Sequence, residues 1–403
     1  MTANEKFFAE NKKAAAVLKH GVLKRYLAKF AGATASTAPG RRVGFLDGYA
    51  GEGAYTNPRT GVVSEGSPAI ALRIANDELR ANVELHCRFI ERDEKAFTAL
   101  QRVLAAANNP QAVALHGDVR DHLDSALESF GGMPALVFID PFGSGPDIES
   151  TVEKILKRGG DMPTELLLNF SIQAVRRMGP RLWEKPNAPG REMTLARMDE
   201  WLGGDWWREV FDAPDLQGIP KEERAHTAAL RVASEYRLRV CRAAGCLAYT
   251  VPIHRKPADK EPFWLILFFP RRVAMWYFNE AVSLALGDWR KFLADVELDA
   301  ADRIDQDQPG IVSQLSLVQA VIDADEAQIQ ADAIKDIKRA ITSALSTRTS
   351  LSTRTDFALV FGAALGVGRE THLRKAWKEL AGEGVVVAPP TGSLANATIR
   401  RSA

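Results

Sequence analysis

Residues 45–53 read Phe-Leu-Asp-Gly-Tyr-Ala-Gly-Glu-Gly, an apolar run that ends in an acid and opens into a loop of small residues. Such a run predicts a buried strand, and glycines let the next backbone adopt positive φ and approach a ligand closely. Ligands of open α/β sheets bind at the carboxyl ends of the strands. An ordinary turn explains the loop alone equally well, but its place after a strand favours a ligand site. The candidate contacts are Asp47, Gly48, Ala50, Gly51 and Gly53.

More apolar runs follow along the chain, separated by amphipathic stretches of helical period. They are Leu85–Ile90, Ala112–Leu115, Leu136–Ile139 and Leu166–Leu168. Continuous apolar strands that alternate with helices predict a parallel sheet covered on both faces. Two later runs, 247–253 and 263–269, are joined by a polar loop and predict an antiparallel hairpin. The predicted fold class is therefore α/β, with a mostly helical insertion at about 173–245.

Acids stand at the ends of the second and third strands. In nucleotide sites, an acid after the second strand binds ribose hydroxyls, roughly 20 residues after the glycines. Glu91 stands 38 residues after Gly53 but 23 after Pro68, where a helix is predicted to begin. Asp118 is placed to accept a hydrogen bond from an exocyclic amine such as that of adenine. A helix cap is the alternative role for Asp118, although Asp121 is better placed for it.

The excess length between Gly53 and Glu91 lies in residues 54–66. We interpret this segment as a loop that covers the site, with Tyr55, Arg59 and Ser67 as candidate substrate or lid residues. Ser67 is also predicted to cap the helix over Pro68–Asn82. A solvated insertion explains the segment equally well.

The fourth strand is followed by Asp140-Pro141-Phe142-Gly143. An acid, a rigid backbone carbonyl and a flat ring are the groups needed to orient an exocyclic amine and to stack on an extruded base. A simple turn at the end of a strand is the alternative for this tetrapeptide. Because acids and a glycine loop occur at four consecutive strand ends, the whole set is stronger evidence for a ligand site than any single member.

The same segments resemble one protein family. Residues 47–53, Gly66-Ser67-Pro68, Phe89-Ile90-Glu91, residues 138–143 and the strand 263–269 are similar to the three-Cys-motif partner proteins, over roughly residues 15–295. That family is similar in turn to class I methyltransferases that use S-adenosylmethionine (SAM). The resemblance implies a Rossmann-like sheet of parallel strands with an antiparallel C-terminal hairpin. It also implies a partner protein with a three-cysteine motif, a motif that Cys87, Cys241 and Cys246 do not form.

The resemblance assigns roles to the strand-end residues. Asp47, Gly51 and Gly53 would line the methionine part of SAM, Glu91 would hold the ribose and Asp118 the adenine. Asp140 would lie at the centre of methyl transfer, with Pro141 and Phe142 beside it. The segment departs from the usual amino-methyltransferase pattern, because it has one proline and Phe142 comes one place early. No Pro-Cys dipeptide occurs, which argues against methylation of cytosine C5 through a cysteine.

Residues 310–403 have the pattern of a different unit. Helix, tight turn, helix and short hairpin follow one another, which is the order of a winged helix-turn-helix. From residue 331 onward the chain has 11 Lys and Arg against 6 Asp and Glu, a net charge of +5 that leaves −4 for the rest. Binding of DNA is favoured over a protein contact. The candidate nucleic-acid residues are Arg369, His372, Arg374, Lys375 and Lys378.

Composition limits the remaining possibilities. The chain has 403 residues and a net charge of +1, so it is neither a strongly basic binder nor an acidic disordered protein. Its three scattered cysteines predict reduced thiols, with no metal set and no disulfide framework. No signal peptide is recognisable and no apolar run reaches about 18 residues, so we expect a cytoplasmic protein without a membrane anchor. The expected domains are residues 1–40, 41–300 and 310–403.

Three functions remain open at this point. The first is a SAM-dependent methyltransferase that acts on nucleic acid. The second is a non-catalytic adaptor that binds SAM or DNA for a three-Cys-motif partner. The third is a transcription regulator whose large domain senses a nucleotide. Arg176, Arg177 and Arg181, after the fifth strand, are either phosphate contacts or a solvated helix face.

Overall fold

The structure is a computed structural model that describes residues 3–56, 63–141, 143–158, 163–254, 260, 262–307 and 313–402. The chain forms two compact units, Leu27–Arg271 and Met1–Tyr26 with Arg272–Ala403. These limits differ from the boundaries expected at residues 40 and 300. The difference arises because one long helix begins at Val273 and groups with the C-terminal residues.

The elements of the described residues are numbered along the chain. The strands are β1 (Arg42–Asp47), β2 (Ala54–Thr56), β3 (Val63–Glu65), β4 (Glu84–Glu91), β5 (Ala112–His116), β6 (Ala135–Ile139), β7 (Thr164–Phe170), β8 (Leu247–Ile253), β9 (Phe263–Phe269), β10 (Ser350–Ser352) and β11 (Thr398–Arg400). The α-helices are α1 (Ala3–Ala35), α2 (Ser67–Arg80), α3 (Glu94–Ala107), α4 (Val119–Glu128), α5 (Ile172–Met178), α6 (Arg191–Leu202), α7 (Trp207–Phe211), α8 (Lys221–Ala244), α9 (Val273–Asp307), α10 (Gln314–Leu345), α11 (Phe357–Phe361) and α12 (Glu370–Gly382). A π-helical segment covers Ser150–Leu156, and 3₁₀ turns cover Pro39–Arg41, Gly179–Trp183, Pro214–Leu216 and Gly362–Ala364.

The unit 27–271 is built on one seven-stranded sheet with the order β5-β4-β1-β6-β7-β9-β8. Strands β5, β4, β1, β6 and β7 are parallel, and β9 lies antiparallel between β7 and β8. This mostly parallel sheet is consistent with a Rossmann-like methyltransferase fold, and the predicted parallel strands and C-terminal hairpin are confirmed. In the register, Asp47 is opposite Phe89 on one side and Phe138 on the other. The carboxyl ends of β1, β4 and β6 therefore lie at one edge.

The central strands are almost entirely buried, which explains the apolar runs that they contain. Every residue of β6 and β7 is buried, as are five of the six residues of β1. Helices on both faces exclude water from both sides of such strands, so no polar alternation is required. Packing is tight enough at Gly44 that a Cβ there would lie 2.8 Å from the Phe130 ring.

The other unit contains most of α1, the long helices α9 and α10, and a small sheet. Helix α10 runs without a break from Gln314 to Leu345. Strand β10 follows α10 and pairs antiparallel with β11. Val386 bridges Arg401, so the predicted C-terminal hairpin forms only at this point.

Candidate active site

The glycine loop after β1 is held by Asp47 and by two left-handed glycines. Asp47 is fully buried, and its Oδ1 accepts the Tyr49 N–H at 3.1 Å. Its Oδ2 is buried and makes no hydrogen bond within the described residues. Gly51 and Gly53 have φ of +61° and +79°, which residues with a side chain adopt with strain. The loop thus needs the glycines that the sequence places there.

Glu91 connects the end of β4 to this loop. Its Oε2 accepts the Gly51 N–H at 2.7 Å, and its Oε1 accepts the Asp93 N–H at 2.6 Å. A carboxylate has about four lone-pair positions, so two remain for a ligand. The backbone bonds fix the carboxylate with those positions at the edge of the sheet.

Burial controls the charge of Asp47. Removal from water raises the pKa of Asp47 to about 7, and the nearby carboxyls of Asp140 and Glu91 act in the same direction. The Ser67 side chain and the Tyr49 amide oppose the increase. A buried acid with this pKa is favoured to lose its proton when a cation binds beside it.

We expect the stability of the protein to fall as pH rises from about 4 to about 7. In this range the folded protein keeps a proton on Asp47 that the unfolded chain, with an ordinary pKa of 3.8, has released. Asp47→Asn should therefore raise the free energy of unfolding at pH 8 by up to about 4 kcal/mol, since one pKa unit is worth about 1.36 kcal/mol. Urea unfolding at pH 5 and pH 8 measures the effect.

Glu52→Gln is the matched control, because Glu52 is an exposed acid of the same loop. It should leave the pH dependence of unfolding unchanged. Wild type and Asp47→Asn should differ in free energy of unfolding by different amounts at pH 5 and pH 8. An equal difference at both pH values would contradict the buried, protonated state of Asp47.

Two predicted side-chain roles are corrected by the helix starts. Asp118, not Asp121, caps α4, since its Oδ1 accepts the Arg120 N–H at 3.1 Å. Its Oδ2 lies 3.4 Å from Arg92, so a part of the carboxylate proposed for adenine is already engaged. Ser67 is the first residue of α2, and Gly66 occupies the cap position. The Ser67 side chain instead acts on Asp47, where it lowers the pKa.

The segment after β6 brings Asp140 to a residue that sequence reasoning missed. Asn169, buried on β7, donates from Nδ2 to Asp140 Oδ1 at 2.6 Å. The Asn169 Oδ1 is buried and has no hydrogen-bond partner in the described part of the chain. Pro141 is buried and lines the adjacent cavity, whereas Phe142 lies outside the described residues. A polar residue directly after the apolar run Leu166–Leu168 was the available sequence signal.

The two ends of the inserted segment pair with each other as short strands. Strands β2 and β3 pair antiparallel, with Ala54 opposite Glu65, and the Gly66 N–H donates to the Gly53 carbonyl at 3.0 Å. Tyr55, on β2, lies close to the glycine loop. Its hydroxyl oxygen is 2.8 Å from the position that a Cβ would occupy at Gly51. Arg59 lies outside the described residues. The base of the predicted covering segment is therefore ordered beside the loop.

A cavity of about 870 Å³ lies at this edge of the sheet. Gly48, Glu91, Asp118 and Pro141 line it, whereas the other predicted contacts that the structure describes are not among its lining residues. Part of the wall comes from helices α5 and α6, in the predicted helical insertion. The wall residues that were not assigned to the site from the sequence include Tyr49, Arg120, Met193, Arg197 and Glu200. Arg177, considered as a phosphate contact, also lines it.

The predicted nucleic-acid residues of α12 have unequal environments. His372 is buried, its Nδ1 accepts the Arg369 N–H at 3.1 Å, and its Nε2 contacts Gln330. It caps the helix and is removed from the predicted surface. Arg374 donates to the Pro390 carbonyl at 3.0 Å, so it holds the following loop. Lys375 and Lys378 are exposed.

The described residues offer neither a cluster of metal ligands nor a membrane-spanning helix. They contain no group of three or more His, Cys, Asp or Glu side chains arranged to hold a metal ion. Within the same ranges, every helix is too short or too polar to span a membrane.

Comparison with known proteins gives weak likenesses. No family model and no curated protein matches the sequence. A putative O-methyltransferase from Klebsiella pneumoniae is 13% identical, with 67% of this chain and 90% of that one covered and a TM-score of 0.30. The O-methyltransferase TomG from Streptomyces achromogenes, solved with SAM, is 14% identical, with 65% and 89% covered and a TM-score of 0.33.

A dimethyladenosine transferase from Plasmodium falciparum is 8% identical, with 89% and 96% of the two chains covered and a TM-score of 0.25. All three TM-scores are below 0.5, so we base no conclusion about this chain on these likenesses. Its function is inferred from its own sheet order and site geometry.

Proposed function

We propose that the protein is a cytoplasmic SAM-dependent methyltransferase that acts on the exocyclic amine of a nucleic-acid base, together with a three-Cys-motif partner. The observation that carries the proposal is the sheet edge. Asp47 and Glu91 end β1 and β4, and Asp118 and Asp140 come within two residues of the ends of β5 and β6. Glu91, Asp118 and Pro141, the residue after Asp140, line one cavity of about 870 Å³. This volume is within the usual range of about 300–1,000 Å³ for small-molecule sites.

The residues present fit SAM. SAM carries a positive sulfonium and an ammonium group, and Asp47 offers a buried carboxyl whose Oδ2 has no partner within the described residues. The carboxylate of Glu91, fixed by two backbone amides, has lone pairs left for two ribose hydroxyls. Asp118, on the cavity wall, is the candidate for the adenine amine. When bound, SAM supplies a methyl group on its sulfonium.

Asp140 and Asn169 are the candidates for orienting the acceptor. An exocyclic amine has two N–H donors, while the Asp140 carboxylate and the buried Asn169 carbonyl oxygen are acceptors. Acceptance of these hydrogens would align the nitrogen for attack, since in-line transfer depends chiefly on position. The proton lost by the amine would pass to Asp140 or to water.

Calorimetric titration of SAM into the purified full chain is the direct test. We expect binding with one site per chain. The absence of binding by SAM and by S-adenosylhomocysteine would contradict the proposal.

The second candidate is a non-catalytic adaptor for the same partner. The departure at Pro141 and Phe142 from the usual pattern of amino-methyltransferases favours it. The two candidates differ in a transfer assay with tritiated SAM on DNA, RNA and the partner protein. SAM binding without label on any of these substrates would favour the adaptor.

We further propose that residues 314–402 form a winged-helix domain that binds duplex DNA. Helix α10, strand β10, helices α11 and α12, the Val386 bridge and strand β11 follow in the order of that domain. Helix α12 would be the recognition helix, with Arg369 and Arg374 beside its two exposed lysines. The loop held by Arg374 would be the wing.

We expect Lys375→Ala with Lys378→Ala to weaken duplex binding about 10-fold or more. Each lysine that neutralises a phosphate contributes a slope of about 0.9 to the plot of log K against log salt, so the slope should fall by about 2. Fluorescence anisotropy with a labelled duplex measures both quantities.

Lys335→Ala is the matched control, because Lys335 is an exposed lysine of α10 rather than α12. It should leave affinity and slope unchanged. Equal losses in the control and in the double variant would show that general charge, and not α12, determines the binding.

A further inference from the structure

One face of helix α6 forms part of the cavity wall. Met193, Ala196, Arg197 and Glu200 line the cavity and are exposed. Their spacing of i, i+3, i+4 and i+7 places them on a single side of the helix. Leu195, Met198 and Leu202 are buried on the other side. Helix α6 is thus anchored in the core and presents a surface to the ligand site.

Two arginines on this wall lack an acidic partner. Arg177, on α5, makes no hydrogen bond or ion pair within the described residues. Arg197 makes one hydrogen bond there, from Nε to Ser144 Oγ at 3.2 Å. By contrast, Arg92 and Arg120 lie 3.4 Å from Asp118 and Glu200, respectively. The part of the wall formed by α5 and α6 therefore has two uncompensated positive charges.

A large apolar side chain lies on the same wall. Met193 is 76% exposed and lies one helical turn from Arg197. Methionine is unbranched and polarisable, and it packs well against aromatic rings. An exposed methionine beside unpaired arginines offers both a surface for a flat base and charges for the adjoining phosphates.

We propose that Arg177 and Arg197 bind backbone phosphates of single-stranded nucleic acid, while Met193 packs against an unstacked base. This proposal rests on the proposed function, because it identifies the strand that would deliver the acceptor to Asp140. A cavity of about 870 Å³ holds small groups but not a duplex, and a base must leave the stack before its amine is accessible.

The wall predicts little selection between DNA and RNA. Recognition of RNA depends on hydrogen bonds to the 2′-hydroxyl. Ser144 and Glu200, the polar side chains next to the arginines, already contact Arg197 and Arg120. The phosphates, which both polymers share, are therefore the groups that the wall recognises.

The test uses the full chain and a fluorescein-labelled 12-nucleotide single strand of mixed sequence. Arg177→Gln with Arg197→Gln should weaken binding in anisotropy titrations at least 10-fold. The salt slope should fall by about 1.4, since each phosphate contact to a single strand contributes about 0.7. DNA and RNA should bind with affinities within about threefold of each other, and Met193→Glu should weaken both.

Arg176→Gln is the matched control, because Arg176 is exposed on the same helix but does not line the cavity. It should leave strand affinity within twofold of wild type. Unchanged affinity in the double arginine variant, or an equal loss in Arg176→Gln, would overturn the proposal. Strong selection for one sugar would overturn the phosphate-only recognition.

A SAM titration of the same variants separates this proposal from the proposed function. The double arginine variant should bind SAM as wild type does, which also shows that it is folded. Failure of wild type to bind SAM would contradict the methyltransferase. Suppose that wild type binds SAM normally but its binding of the single strand does not depend on Arg177 and Arg197. This result would contradict only the proposed phosphate contacts of the two arginines.

Discussion

Asp140→Asn is expected to reduce methyl transfer about 10³-fold while SAM binds within about threefold of wild type. A positioned group that accepts or directs a proton in the transition state contributes about 10²–10⁴-fold to the rate. Asn169 Nδ2 holds Asp140 Oδ1 at 2.6 Å, and an amide oxygen at residue 140 can keep that bond. The substitution therefore removes charge and basicity with little change of shape. Single-turnover transfer from tritiated SAM measures the rate.

Asp121→Asn is the control for this prediction. Asp121 is an exposed acid of α4 that neither caps the helix nor lines the cavity, so its rate should match wild type. Asn169→Leu gives a second comparison, because it removes the group that positions Asp140 and leaves the carboxylate. Full activity in Asp140→Asn would exclude Asp140 from the transfer step.

The sheet was predictable because burial determines its sequence. A strand covered on both faces need not alternate apolar and polar residues. Continuous apolar runs such as Leu136–Ile139 are therefore easily distinguished from amphipathic helices. The hairpin strands 247–253 and 263–269 match β8 and β9 residue for residue. The placement of the acids was predictable from the same runs, since Asp47 and Glu91 end β1 and β4, and Asp118 and Asp140 come within two residues of the ends of β5 and β6.

The helix starts were harder to predict because neighbouring residues compete for one cap. Asp118 and Asp121 are both good cap residues, and the choice depends on where β5 ends and the chain turns. Ser67 was expected to cap α2, but Gly66 has that position and Ser67 contributes to the environment of Asp47. In each case the prediction fails by a few residues, although the side-chain type was suitable.

The wall of α5 and α6 could not be assigned from the sequence. Arg177 and Arg197 are 20 residues apart, and nothing local shows that both face a cavity whose other walls come from the end of β4 and from the segments after β1, β4, β5 and β6. The exposed face of α6 has ordinary amphipathic spacing, which is typical of a solvated helix. Only the packing of the insertion against the sheet relates it to Glu91 and Pro141.

Glu91→Gln is expected to weaken SAM binding about 100-fold. Hydrogen bonds to a charged group are worth about 1.5–3 kcal/mol each, and 1.4 kcal/mol is a tenfold change in affinity. Loss of the carboxylate would weaken the bonds to two ribose hydroxyls. It would also place an amide NH₂ against the N–H of Gly51 or Asp93, which now donate to the two oxygens at 2.7 and 2.6 Å. Calorimetry measures the affinity.

Glu52→Gln, the same change at an exposed residue of the loop, should bind SAM within threefold of wild type. If Glu91→Gln also bound normally, Glu91 would have a structural role only. Glu91→Gln and Asp140→Asn should affect different properties of the site. Glu91→Gln should lower affinity but leave the rate at saturating SAM nearly intact, whereas Asp140→Asn should do the reverse. If both variants lost both SAM affinity and transfer rate, a shared folding defect would explain the losses, and Glu91 and Asp140 would not have separate roles.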